Sequence, residues 1–378
     1  MRSELCRKLG IEFPLFAFSH CRDVVAEVTN AGGMGVLGAV GHTPETLEIE
    51  MRWIDDKVKG RPYGVDLLVP NKMEAKEGGV SASELEARVP PEHKRYVEDL
   101  LKRHGVDTAG LWEERFTNAA GENMREEGAA RLLDVAFAHP IGLIVNALGV
   151  PPPAMFERAR RKGVPVGALT GAREHAIKHA QAGVDILIVA GTEAGGHCGE
   201  VSTLVLIPEV LDAMRDFPEV KVLAAGGIAT GRQMAACMAM GADGVWTGSV
   251  WLTTAEAETT PTVKQKMLAA TSRDTVRSRS RTGKYTRQLR SPWTDAWGIE
   301  GAPDPLPMPL QGLVSKRALA RVDKLAESGH AGAKALATYY VGQAVGLMNA
   351  EQSTRSVVYD FMRDYAEAVE RLSGTLDV

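Results

Sequence analysis

The stretch AGTEAGGHCGE, residues 190–200, closes an apolar run with two glycines and a histidine, His197. An imidazole titrates near neutral pH, so a residue of this type can take a proton from an acidic carbon or stabilise a developing anion. Gly195 and Gly196, directly before it, carry no side chain that would keep a ligand from the ring. Two further glycine turns stand downstream, AAGGIATG (224–231) and GVWTGSVW (244–251). Glycines there let backbone amides approach an anion. A helix predicted to start after Thr230 aims its positive end at the same place, so the pair predicts a phosphate cup.

Other residues have blander roles open to them. His20, at the end of the first apolar run, is a candidate second substrate contact. Glu193 and Glu200 flank His197 and could orient it or cap the next helix; capping is favoured. His175 and His179 are four apart on a predicted helix, a spacing that suits a metal pair, yet no carboxylate or cysteine partner is evident. A solvated face, and no metal, is the expectation. Cys198 has no activating base specified and is read as incidental. The basic run Arg273, Arg277, Arg279, Arg281, Lys284, Arg287 and Arg290 suits either a phosphate-bearing ligand or a face of charges that ties segments together.

These residues need a scaffold, and the chain's rhythm suggests one. Eight short apolar runs, at 14–18, 34–39, 63–69, 143–148, 165–170, 186–191, 221–226 and 244–249, read as buried parallel strands. The segments between them have helical spacing and several end in glycine. Eight β-α units close naturally into a TIM (β/α)8 barrel, which commonly builds its phosphate site from the loops after strands 7 and 8. The expected division is a barrel over 1–271 and a C-terminal helical cap over 272–378. An insertion over 71–130, after strand 3, holds one predicted helix near 92–104 and is read as a lid or a solvated decoration.

Composition bounds the function. The 378 residues are 44% hydrophobic and 24% charged, enough for a large core, and no run argues for a membrane partner. A net charge of −4 gives no overall attraction to nucleic acid, so phosphate recognition must be local. Four cysteines without paired spacing, and no apolar leader in the first residues, lead to the expectation of a cytoplasmic protein.

The stretches NAGGMGVLGA (30–39), GTEAGGHCGE (191–200), AAGGIATGRQ (224–233), GADGVWTGSVWL (241–252), TGK (282–284) and GQAVGL (342–347) resemble the nitronate monooxygenase family of FMN-dependent TIM barrels, formerly called 2-nitropropane dioxygenases. Related members include flavin-dependent enoyl-thioester reductases and NADH:quinone reductases. The resemblance implies that Gly226, Gly227, Trp246, Thr247, Gly248 and Ser249 hold the FMN phosphate and ribityl chain. Gly195 and Gly196 would lie against the flavin, with Ala17, Phe18, Ser19 and His20 in the first-strand loop beside its ring. It also implies that His197 stands over the reactive edge as base or hydrogen-bond donor. Three departures bear on the substrate: the first-strand loop lacks the proline and methionine common in the family, Asp66 stands where an Asn that contacts flavin is frequent, and Ala190 where a Gln is common.

The leading expectation is therefore oxidation of an alkyl nitronate by O2 to a carbonyl compound and nitrite. The alternative is a reductase in which NADH or NADPH reduces FMN, which then serves an enoyl-CoA, another enoyl thioester or a quinone, with Arg277, Arg279 and Arg281 as candidate substrate contacts. A flavin-binding protein without turnover is the reading from another class; it leaves His197 without a purpose. All three take a small-molecule partner.

Overall fold

The computed structural model describes residues 3–70, 82–113, 123 and 126–375. Eight short strands are parallel and close into a barrel: β1 (Leu15–Ser19), β2 (Met34–Gly38), β3 (Gly64–Leu67), β4 (Leu143–Asn146), β5 (Val166–Thr170), β6 (Ile186–Ala190), β8 (Lys221–Ala225) and β9 (Gly244–Thr247). They fall on the eight apolar runs, and the fold is the expected TIM barrel. Closure is made by β1 against β9, with Phe16 opposite Trp246 and Ala17 opposite Thr247.

Alternation along each strand sorts the side chains into two cores. Phe16, Met34, Val36, Leu143, Ile188 and Trp246 fill the barrel interior. Leu15, Leu37, Val65, Ile144, Leu187 and Val245 face outward against the helices. Both faces are dry, which is why these runs read as continuously apolar.

The remaining strands have no counterpart among those runs. A two-residue strand, β7 (Gly196–His197), lies outside the barrel and joins a hairpin of β10 (Thr275–Ser278) and β11 (Thr286–Leu289) in an antiparallel sheet of order β10-β11-β7. The basic run thus forms a hairpin pinned to the loop after β6. The sheet register sets Thr286 opposite His197 and Arg287 opposite Gly196.

Regions outside the barrel also pack differently from a simple division at 271/272. The helix Pro91–Arg103 buries Val97, Leu100 and Leu101 in one core with Trp293, Val314 and Val322 of the C-terminal region, so the insertion after β3 and residues 263–348 share a lobe. The last helix, Thr354–Gly374, returns instead to the barrel and buries Val358 and Phe361 in the barrel–helix core. Its approach is close: a Cβ on Gly231 would lie 1.9 Å from the Phe361 carbonyl oxygen. Residues 71–81, 114–122, 124 and 125 of the expected lid segment lie outside the described residues. No helix among them is long and apolar enough to cross a membrane.

Candidate active site

The loops that follow the strand ends meet at one mouth. The chain leaves β6 at Ala190, turns through 191–195 and enters β7, and this turn is held from three sides. Arg287, largely buried on β11, donates from Nε to the Thr192 carbonyl at 2.9 Å. Gln343 donates its backbone N–H to the Glu193 carbonyl at 2.9 Å. Gly195 abuts the 341–342 backbone so closely that a Cβ would meet Gly342 N at 2.7 Å. Glu193 is a cap: its carboxylate accepts from both the backbone N–H and the hydroxyl of Thr203, each at 2.9 Å, at the start of the helix Thr203–Ala213.

His197 emerges from this turn at an exposed position of β7. Its Nε2 lies 3.0 Å from the Thr282 hydroxyl oxygen, at the tip of the β10–β11 hairpin. Partial removal from water, and then the Lys284 ammonium, hold the imidazole below its ordinary pKa. It is therefore neutral at neutral pH and able to accept a proton. Thr282 is the partner the sequence reading did not assign, since it stands 85 positions away.

The turns after β8 and β9, expected to cradle an anion, combine positive-φ glycines with unpaired amides. Gly226 and Gly227 have φ of 95° and 71°, a backbone that L residues rarely adopt. A Cβ on Gly227 would also press on the Glu193 side chain at 2.9 Å. Among the described residues no acceptor takes the backbone N–H of Gly227 or of Gly248. The helix Gly231–Ala239, in contrast, does not offer its N-terminus. Gln233 Oε1 accepts from the N–H groups of Ala229 and Thr230, at 2.9 and 3.1 Å, and Asp364 takes that of Arg232 at 2.7 Å. The positive helix end is already capped by protein. The amides of the two turns are what remains for a phosphate.

Around the cradle, the expected cofactor residues divide by the direction of their side chains. Phe18 and Trp246 point into the barrel and stack, with centroids 5.9 Å apart, and Phe18 meets the His20 ring edge-on at 5.1 Å. His20 is fixed by Nδ1 to the Gly38 carbonyl at 2.6 Å. Ala17 and Thr247 face away from the interior. Ala17 packs in the helix-side core, and Thr247 donates to the Phe16 carbonyl at 3.0 Å while accepting from Trp251 Nε1 at 3.0 Å. Only their backbones can approach a ligand. The Ser19 hydroxyl accepts from Cys21 N at 3.1 Å, and that of Ser249 from Gly342 N at 2.8 Å. Asp66 projects inward from β3, is 2% exposed, and its Oδ1 is enclosed without a hydrogen-bond partner. An orphaned buried acid, two unpaired turn amides and the close glycines are what a bound flavin phosphate and ring would satisfy, so the residues present fit that group.

The three candidate arginines part company. Arg279 is bound to Asp304 at 3.0 Å and to the carbonyls of Gly283 and Pro305 at 3.0 and 2.8 Å. Arg281 donates to the Thr338 carbonyl at 2.6 Å and lies over the Tyr340 ring at 4.8 Å. Both tie the hairpin to the lobe. Arg277 alone of the three is loosely held, 3.7 Å from exposed Glu200 and 5.0 Å over the ring of Tyr285. His179 corrects the expected solvated face: it is buried with Nδ1 3.1 Å from the Thr170 hydroxyl, while His175 is exposed.

Comparison with known proteins agrees with the fold. The nitronate monooxygenase family model matches residues 98–364. A Mycobacterium tuberculosis H37Rv protein, provisionally named monooxygenase Rv1533, is 53% identical over 99% of both chains. A Staphylococcus haemolyticus protein, provisionally named a nitronate monooxygenase, is 27% identical over 81% of this chain and 83% of its own. Among solved structures, nitroalkane oxidase from Streptomyces ansochromogenes has the same fold, with TM-score 0.76 at 23% identity over 97% of this chain and 99% of that one. FabK from Thermotoga maritima aligns with TM-score 0.69 at 23% identity over 99% of each chain. The family-model match and the 53% identity to the mycobacterial protein mean that the chain belongs to the nitronate monooxygenase family of flavin-dependent oxidoreductases.

Proposed function

We propose that the protein binds FMN in the barrel mouth and oxidises alkyl nitronates with O2, giving a carbonyl compound and nitrite. The observation that carries this is the position of His197: a neutral imidazole at the mouth, preceded by two glycines and held by Thr282 on one nitrogen. FMN, when bound, supplies the electron-transfer chemistry that no side chain can. The chain supplies the rest. Backbone amides of Gly227 and Gly248 hold the phosphate, Phe18 and Trp246 wall the interior, and Gly195 and Gly196 leave the ring face accessible.

The Thr282 hydroxyl donates to the Lys284 carbonyl at 3.2 Å, so toward His197 its oxygen serves as acceptor. Nε2 then carries the ring proton and Nδ1 keeps a lone pair. That nitrogen takes a proton from a neutral nitroalkane, and the resulting imidazolium beside it balances a nitronate. Lys284 adds positive charge near the same anion.

A reductase using NADH or NADPH and an enoyl thioester or quinone is a second reading, favoured by one observation: the Arg277 guanidinium over the exposed Tyr285 ring can meet a phosphate or an aromatic base. The test is anaerobic mixing of the yellow protein with propyl-2-nitronate, NADH and NADPH in turn, following the flavin band. Bleaching by nitronate alone supports the first reading. Bleaching by a nicotinamide alone replaces it with the second, and colourless protein that FMN cannot reconstitute removes both.

A further inference from the structure

Among the described residues, Asp66 is the acid that the barrel interior encloses, and its surroundings say what form it takes. It lies on β3 in register with Gly38 of β2 and Val145 of β4, in the layer that ends the packed interior. Phe18 and His20 cover Gly38 so closely that a Cβ there would meet Phe18 Cζ at 2.7 Å and His20 Nδ1 at 2.8 Å. His20 is the titratable group on that side, and its Nδ1 is tied to the Gly38 carbonyl. Val36 and Gly38 from β2, and Val145 from β4, bring no charge. Burial is the sole influence on the Asp66 carboxyl, raising its pKa well above the ordinary carboxylate value, with no cation among the described residues to offset it. An ionised carboxylate so placed would be costly, whereas a neutral acid has one O–H to give.

We propose that Asp66 is a protonated hydrogen-bond donor to the bound cofactor, placed in the barrel interior with its oxygen left unpaired by the protein, so that cofactor binding is linked to one proton. This rests on the FMN reading above. The unpaired oxygen is the geometric warrant: a polar atom that the protein leaves unsatisfied in a closed interior has its partner in whatever fills the mouth. Asp66 is thereby a positioning residue with a specific ionisation requirement, and Asn, an obligate donor of similar shape, is its functional equivalent without the proton linkage.

The sign follows from the assignment. Cofactor affinity is full while Asp66 is protonated and falls as pH rises through its folded pKa, with Kd increasing about tenfold per pH unit above the transition. Asp66→Asn abolishes that dependence. The measurement is FMN affinity by quenching of flavin fluorescence between neutral and alkaline pH, on wild type and Asp66→Asn, with difference infrared spectra of the two apoproteins at neutral pH. A weakening confined to wild type, with a protonated-carboxyl C=O band present in wild type and missing in the variant, is the expected result. Parallel pH curves, or no such band, overturn it. If neither protein takes up FMN while the band is present, the flavin reading has failed and the neutral acid stands without its assigned partner, which also refutes the donor role. Asp66→Glu, which keeps the acid but lengthens it, guards against misreading a folding defect: it retains the band and the pH dependence with a weaker Kd throughout.

Discussion

His197 and Thr282 meet at 3.0 Å across 85 residues of chain, because the β10–β11 hairpin returns to pair with the two-residue strand that carries the histidine. Thr282 thus decides which imidazole nitrogen is free. Replacing His197 by Ala or Asn is expected to leave FMN binding and the flavin spectrum near native, while substrate-driven flavin reduction falls about 10²- to 10⁴-fold with a neutral nitroalkane. A preformed nitronate needs no deprotonation and should lose much less. Thr282→Val should give a smaller version of the same pattern. Turnover of the His197 variants within about twofold of wild type on both substrate forms would remove the base assignment.

Lys284 lowers the His197 pKa through its charge, after burial. Lys284→Gln should therefore raise it toward the ordinary value. Because the base works in its neutral form, activity is lost as pH falls through this pKa, and the acidic limb of the kcat/KM profile should move to higher pH in the variant. A limb that stays in place, or moves the other way, means that a different group titrates.

The cradle can be tested without turnover. Gly227→Leu imposes a side chain at φ 71° and against Glu193. FMN should be expelled while the circular-dichroism spectrum stays native. Full flavin occupancy in this variant would place the phosphate elsewhere.

The arginines should separate by role. Arg277→Ala is expected to fold normally and, if phosphate-bearing ligands use the mouth, to weaken NADPH or CoA-thioester binding and flatten its salt dependence. Arg281→Ala loses a hydrogen bond to the Thr338 carbonyl and the contact with Tyr339 and Tyr340, and should lower the thermal midpoint. Equal effects of both on stability, with none on ligand binding, would reduce Arg277 to a structural charge.

His179 supplies a pH dependence of stability unrelated to catalysis. Burial lowers its pKa from 6.5 to about 4. Between those values the unfolded chain binds the proton and the folded one does not, so stability falls as pH drops below about 6.5, and this group's contribution levels off near 4. The cost reaches about 3 kcal/mol. Urea unfolding of wild type and His179→Gln at pH 7 and 4.5 reads it: the stability gap between the two pH values should narrow in the variant.

The barrel was legible because its cause is local. Runs such as ILIVAG and KVLAAG must be buried on both faces, and eight of them alternating with helical spacing leave few architectures. The glycine turns were legible for a similar reason, since a positive φ and a close backbone are recorded in the residue type itself. His197 could be singled out as an imidazole after two glycines, but its hydrogen bond to Thr282 could not, because a two-residue strand has no periodicity to read. The helix after Thr230 looked free to hold an anion until Asp364, from the last helix, was found on its first turn. In the basic run, seven like charges gave no means of telling the arginine left at the mouth from those tied into the lobe. Asp66 was readable as an acid in an apolar run; only closure of the barrel around it, with no cation near it among the described residues, left its Oδ1 buried without a partner. Sequence pattern fixes which backbone must be buried, whereas pairing between distant polar groups depends on where the closed chain finally sets them.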